Sequence, residues 1–270
     1  MTKKIIAVDL DGTLLNSESK ISDFTRNTIK RIAEKGHHVI ITTGRPYRMA
    51  KEFYQELELH TPMINFNGSL THLPGQTWEH EKCLTLDKKY LLDMVERKED
   101  IQADFIAGEY RKKFYITAPN EEIANPKLFG VENFQPENQF KSELVTKDPN
   151  CILLQTRVDD KYALADEMNR FYQHQLAINT WGGPLNILEC TPKGVNKAFA
   201  LEYLLNVMNR DKKDLIAFGD EHNDTEMLAF AGKGYAMKNA NPDLLPYADE
   251  QLSLTNDEDG VAHTLQDLFL

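Results

Sequence analysis

Ile5-Ile6-Ala7-Val8-Asp9-Leu10-Asp11-Gly12-Thr13 places two carboxylates and a glycine directly after four apolar residues. The apolar run predicts a short buried strand, and Gly12 a sharp turn just past its end. Residues two apart on an extended chain point the same way, so Asp9 and Asp11 are expected to face each other. Two unit charges ~4 Å apart repel by ~4 kcal/mol at an effective dielectric of 20, so a cation is expected between them. Mg²⁺, a hard ion with oxygen ligands, meets that need and leaves a carboxylate oxygen free to attack an electrophile. Thr13 is read as a cap for the segment that follows. Alone, an Asp-x-Asp pair is more often an acidic corner than a site, so the rest of the chain must decide.

Strand and helix alternate on either side of a long insert. Ser22 is placed to cap a helix carrying Phe24, Ile29, Ile32 and Ala33, which Gly36 ends. A second strand, His38-Val39-Ile40-Ile41-Thr42, stops at Thr43-Gly44-Arg45-Pro46, and Pro46 suits the start of a helix bearing Met49, Ala50, Phe53 and Leu57. Pro62-Met63-Ile64-Asn65-Phe66 is a third strand, and this βαβαβ order implies a parallel sheet with right-handed crossovers. The pattern returns with a helix over 196–208, a strand Leu215-Ile216-Ala217-Phe218, and Gly219-Asp220-Glu221-His222-Asn223-Asp224 at its end. A helix to Gly232, a strand near Gly234, a helical turn at Pro242 and a last helix from Gly260 follow. From 83 to 190 the pattern changes to alternating and aromatic runs with two helices, and Trp181-Gly182-Gly183-Pro184 reads as a turn between two strands. The expected fold is α/β, with a parallel-sheet domain over 1–82 and 191–270 and an inserted α/β domain over 83–190.

The formal charge of −11 argues against a general affinity for nucleic acid or an anionic membrane, so a phosphorylated ligand needs a local cationic pocket. Cys83, Cys151 and Cys190 are odd in number and far apart, which supports neither a disulfide framework nor a zinc site and favours the cytoplasm. His37-His38 has no second ligand at helical spacing. Only four apolar residues follow Met1-Thr2-Lys3-Lys4, too few for a signal peptide or a spanning helix.

Three apolar runs thus end in polar clusters: Asp9 and Asp11, then Thr43, then Asp220 with Asn223 and Asp224. In an open α/β sheet, sites form at the carboxyl ends of strands. The order Asp-x-Asp-Gly-Thr, Thr-Gly-Arg, Lys, Gly-Asp-x-x-Asn-Asp resembles the haloacid dehalogenase superfamily of phosphotransferases. The insert resembles the large C2B-type cap of its Cof-type branch (subfamily IIB), whose members are mostly soluble Mg²⁺-dependent phosphatases of small metabolites. Ile64-Asn65-Phe66-Asn67-Gly68, Pro192-Lys193-Gly194-Val195-Asn196-Lys197, Ala236-Met237-Lys238-Asn239-Ala240 and Glu258-Asp259-Gly260-Val261-Ala262 carry the wider likeness.

That resemblance implies Asp9 as the nucleophile forming an aspartyl-phosphate, and Asp11 as acid and then base. It implies Mg²⁺ on Asp9, Asp220 and the Asp11 carbonyl, with Asp224 ordering the metal's shell. Thr43 and Lys197 would contact the phosphoryl group, Gly44 would lie in the same phosphate loop, and Asn223 would contact substrate or orient Lys197. Arg45 is open between gripping substrate and pairing locally; Lys193 is expected on the surface and His222 as a loop residue. Phe105, Tyr110, Phe114 and Tyr115 are expected mainly as cap core. The chain looks closest to firmicute phosphatases linked to riboflavin synthesis, which implies 5-amino-6-(5-phospho-D-ribitylamino)uracil as a candidate substrate besides sugar phosphates and FMN. The insert would set selectivity. A phosphomutase or phosphoryl transferase using the same aspartates, and a binding module without turnover, remain as alternatives. A monomer or small homo-oligomer is expected.

Overall fold

The structure is a computed structural model that describes residues 3–183 and 185–270, so Met1, Thr2 and the last residue of the Trp181 turn, Pro184, lie outside the described residues. The chain divides into two compact units. The first runs to Arg45 and includes Ala50–Lys82 and Asn196–Leu270; the second comprises Pro46–Met49 and Cys83–Val195.

The elements in chain order begin with β1 (Ile5–Val8), α1 (Asp23–Glu34), β2 (His38–Ile41), α2 (Tyr47–Glu56), β3 (Met63–Asn65), β4 (Leu70–His72) and β5 (Lys82–Cys83). The insert adds α3 (Lys88–Glu96), β6 (Ala103–Glu109), β7 (Phe114–Ile116), β8 (Cys151–Thr156), α4 (Lys161–Phe171), β9 (Leu176–Thr180) and β10 (Ile187–Pro192). The chain ends with α5 (Lys197–Val207), β11 (Leu215–Gly219), α6 (Thr225–Phe230), β12 (Lys233–Ala236), β13 (Glu250–Gln251) and α7 (Gly260–Phe269).

The main sheet of the first unit is parallel, ordered β13-β12-β11-β1-β2. Every residue of β1 is buried, because the strand has neighbours on both edges and cover on both faces. That is why it reads as an unbroken apolar run rather than an alternation. Ser22 caps α1 as expected, its side chain accepting from the Thr25 amide; Thr25, Thr28, Ile29 and Ile32 take the buried face, while Ala33 is exposed. From β1 the chain proceeds to β2 on one side and later returns to β11 on the other, which makes the carboxyl end of β1 a switch point.

The third expected strand departs from the simple βαβαβ sheet. β3 keeps a parallel bridge between Ile64 and Thr42 but otherwise pairs antiparallel with β4 in a separate sheet ordered β3-β4-β5. The reason is local: Phe66, Asn67 and Gly68 all have positive φ and fold the chain back at once.

The second unit is an antiparallel sheet ordered β7-β6-β8-β10-β9. Its core joins Leu91 and Met94 of α3 and Leu164 and Met168 of α4 to Ile106, Ile152, Leu154 and Leu188 of the strands. The unit reaches past residue 190 because β10 stays paired with β9 through Pro192 and Leu176. Phe105, Tyr110, Phe114 and Tyr115 are buried, with the Phe114 ring stacked on Phe129 at 4.7 Å. The polar segment before β8 forms three short 3₁₀ turns, at Pro126–Phe129, Pro136–Asn138 and Ser142–Leu144. All three cysteines are free, and among the described residues no helix is long and apolar enough to cross a membrane.

Candidate active site

Asp9 leaves β1 with its amide still donating to Phe218 O of β11 at 3.2 Å, so the strand edge fixes its backbone. The chain then turns helically over Leu10–Leu14, with Gly12 at φ +71°. This turn separates two side chains that an extended chain would have aligned: Asp9 is buried, whereas the Asp11 side chain is 57% exposed. Each has a cationic side chain beside it. Asp11 accepts from Arg45 Nε at 2.7 Å and from Arg45 Nη2, so Arg45 pairs locally. Asp9 accepts from Lys197 Nζ at 2.7 Å.

Lys197 opens α5, whose N-cap Asn196 accepts the Phe199 amide at 2.8 Å. Its fully buried ammonium also donates to Asp224 at 2.6 Å. Asp224 in turn accepts the backbone amides of Asp220 and Glu221 at 3.0 and 3.2 Å, which ties it to the end of β11. Thr13 does not cap its helical turn; its hydroxyl donates to Asp220 at 2.7 Å. Carboxylate oxygens of Asp9, Asp220 and Asp224 lie within 4.8 Å of one another.

Were all three carboxylates ionised, the one ammonium would leave an excess of two negative charges. Burial pushes the Asp220 carboxyl up to about 7, with Asp224 adding to the effect, and pushes Asp9 well above the usual carboxylate range. Burial also opposes the charge on Lys197, but Asp224 and Asp9 outweigh it and keep the ammonium protonated. An all-oxygen donor set whose carboxyls resist ionising without a cation fits a hard dication such as Mg²⁺.

Two glycines make room for this arrangement. A Cβ on Gly12 would lie 2.1 Å from Asp220 Oδ2, and one on Gly219 would lie 2.5 Å from the Asp224 Cβ. Gly12→Ala must therefore displace Asp220 as well as adopt a left-handed backbone. Its expected result is a stability loss of about 1–3 kcal/mol by chemical denaturation and a higher divalent-ion requirement; wild-type values of both would refute the close approach.

Thr43 follows β2 and is buried. Its amide donates to Ile64 O at 3.0 Å, its carbonyl accepts the Asn67 amide at 3.1 Å, and its Oγ1 accepts the Arg45 amide at 3.1 Å. The hydroxyl proton can therefore point at a ligand. A Cβ on Gly44 would stand 3.2 Å from the Asn67 side-chain amide. Asn223 is exposed and donates to Asn67 Oδ1 at 3.0 Å; it is Asp9 and Asp224, not Asn223, that orient Lys197. Lys193 is exposed in the second unit, and His222 is an exposed loop residue 3.1 Å from the Asn241 amide. His37 is buried against Phe269 and its Nδ1 accepts the Lys4 amide.

The tertiary structure adds residues that spacing did not single out. Asn239 donates to Gly12 O at 2.8 Å and accepts the Asn256 amide at 3.0 Å, while Asn256 holds Leu15 O at 2.8 Å. These two asparagines brace the loop that follows Asp9. Asn239 lies in one of the stretches that carried the family likeness, but nothing in the sequence indicated its partner.

The sequence model of the haloacid dehalogenase-like hydrolases matches residues 6–265. The chain belongs to this family. It is 33% identical over 267 residues, covering 98% of this chain and 97% of the relative, to 5-amino-6-(5-phospho-D-ribitylamino)uracil phosphatase YitU of Bacillus subtilis. A second B. subtilis protein with that activity in its name, YcsE, is 29% identical over 97% of this chain and 94% of its own. The crystal structure of a haloacid dehalogenase-like hydrolase from Bacteroides thetaiotaomicron superposes with a TM-score of 0.85 at 26% identity, covering 99% of this chain and all of the other. The haloacid dehalogenase fold with an inserted cap, expected from the motifs, is thus borne out. The chain is a phosphatase of that family.

Proposed function

We propose that the phosphatase hydrolyses phosphate monoesters of small metabolites, with Mg²⁺, through a phosphorylated Asp9. The observation that carries this reading is the buried Lys197 ammonium held between Asp9 and Asp224, with half-buried Asp220 completing the acidic group. A phosphate monoester is a dianion, so a carboxylate can attack it only where cations absorb the charge.

Asp9 is the nucleophile: one of its oxygens bonds to phosphorus as the ester P–O bond breaks. Asp11 gives its proton to the departing alkoxide, then takes one from the water that attacks the aspartyl-phosphate and releases inorganic phosphate. Arg45 orients Asp11 in its carboxylate form, the one that takes the proton from water. Thr43 Oγ donates to a phosphoryl oxygen, and Lys197 supplies a fixed positive charge while aligning Asp9. Gly44 keeps the loop free of a side chain beside the phosphate. Asp9, Asp220 and the Asp11 carbonyl would hold the Mg²⁺, with Asp224 ordering its surroundings; when bound, the ion neutralises phosphoryl oxygens and Asp9 together.

The phosphate chemistry uses residues of the first unit, and substrate selectivity is assigned to the second. The names of YitU and YcsE favour 5-amino-6-(5-phospho-D-ribitylamino)uracil as substrate, with sugar phosphates and FMN as competitors. The test is phosphate release from that panel with Mg²⁺ and with EDTA. Release that stops with EDTA and resumes with Mg²⁺ is expected, with the ribitylaminouracil phosphate giving the highest kcat/KM. Release that persists in EDTA would refute the metal, and phosphoryl transfer to an added sugar in place of water would favour the mutase or transferase.

A further inference from the structure

We propose that Asn65 and His72, a fully buried polar pair on the β3–β4 hairpin, are positioning residues that hold the Thr43–Arg45 turn in its phosphate-binding form. The proposal rests on the roles given above to Thr43 and Arg45.

Asn65 and His72 both have no exposed surface. The register pairs Asn65 with Leu70 and Met63 with His72, so the two polar side chains are diagonal neighbours on one face of the hairpin. His72 Nε2 lies 2.9 Å from Asn65 Oδ1, and Asn65 Nδ2 donates to the backbone carbonyl of Arg45 at 2.9 Å. The Arg45 carbonyl can only accept, so the Asn65 nitrogen faces it and the Asn65 oxygen faces His72, which assigns the proton to Nε2. The same carbonyl also accepts the Phe66 amide at 3.3 Å.

The turn is thereby held at both ends. The Arg45 amide is bound to Thr43 Oγ1 and its carbonyl to Asn65, while the Thr43 carbonyl is bound to the Asn67 amide. Thr43 Oγ1, occupied as an acceptor, is left to donate outward, and Arg45 leaves the turn directed at Asp11. Two buried polar side chains packed beside Met63 and Leu70 on the same face are costly to desolvate unless they bind each other and a third group. Here that third group is the backbone of the turn next to the nucleophile.

The test compares Asn65→Ala, His72→Ala and His72→Gln with the wild type, by amide hydrogen exchange and by kinetics on p-nitrophenyl phosphate. Gln can place an N–H where His72 Nε2–H stands. The alanine variants are expected to exchange faster at the Arg45, Phe66 and Asn67 amides, with β1 amides unchanged. Their kcat/KM should fall about tenfold, and inhibition by inorganic phosphate should weaken by a similar factor. His72→Gln should recover most of both. If Asn65→Ala does not fold, Asn65→Ser, whose hydroxyl is too short to reach Arg45 O, replaces it. Unchanged exchange at these three amides would overturn the positioning role. Faster exchange with unchanged kcat/KM and phosphate inhibition would instead overturn the roles of Thr43 and Arg45.

Discussion

Asp9→Asn is expected to lower kcat by about 10⁴-fold or more, the scale on which loss of a covalent nucleophile is felt. The amide cannot form the acyl-phosphate, yet it keeps the shape of the side chain and an oxygen to accept from Lys197 at the present 2.7 Å. It also removes a carboxyl whose ionisation burial opposes, from a cluster of three carboxyls beside one ammonium. The variant should therefore be at least as stable as the wild type in the absence of metal. Steady-state kinetics beside urea denaturation checks both halves. Substantial turnover in a folded Asp9→Asn protein would end the nucleophile assignment.

Lys197→Met carries the opposite expectation for stability. The methionine fills similar volume but leaves Asp9 and Asp224 buried without their shared ammonium. Breaking a buried ion pair from one side costs about 3–5 kcal/mol, so the urea midpoint in EDTA should fall well below that of the wild type. Added Mg²⁺ should recover part of the loss, because the ion binds the folded state and replaces some of the missing positive charge. Activity should fall by about 10² or more as well, since a charge aimed at the phosphoryl group is removed. A Lys197→Met protein with the wild-type midpoint in EDTA would show that the ammonium does not compensate the carboxylates.

The two substitutions differ because of where the residues stand, and spacing conveyed only part of that. Asp9, Thr43 and Asp220 each end an apolar run, and in a parallel sheet strand ends collect along one edge, so their grouping was legible without coordinates. Lys197 was legible only through its likeness to a known pattern: nothing in a helix start at residue 197 says that its ammonium will be fully buried. Spacing left Arg45 open between substrate and a local partner, and the backbone decides it: Gly12 at φ +71° turns the chain and sends the Asp11 carboxylate outward to Arg45.

The sequence by itself determined the alternation of strands and helices, the insert, and the chemical set of two leading aspartates, a threonine, a lysine and two later aspartates. Apolar periodicity and turn residues act over a few positions, so they are written locally. Only the tertiary structure decided which polar groups meet: Thr13 with Asp220, Asn239 with Gly12, and His72 through Asn65 with the turn after β2. These contacts join residues up to 227 positions apart. Their partners depend on how closely two backbones approach and on which way each strand end turns. No local pattern encodes that, because the energy of a buried hydrogen bond depends on the finished packing around it.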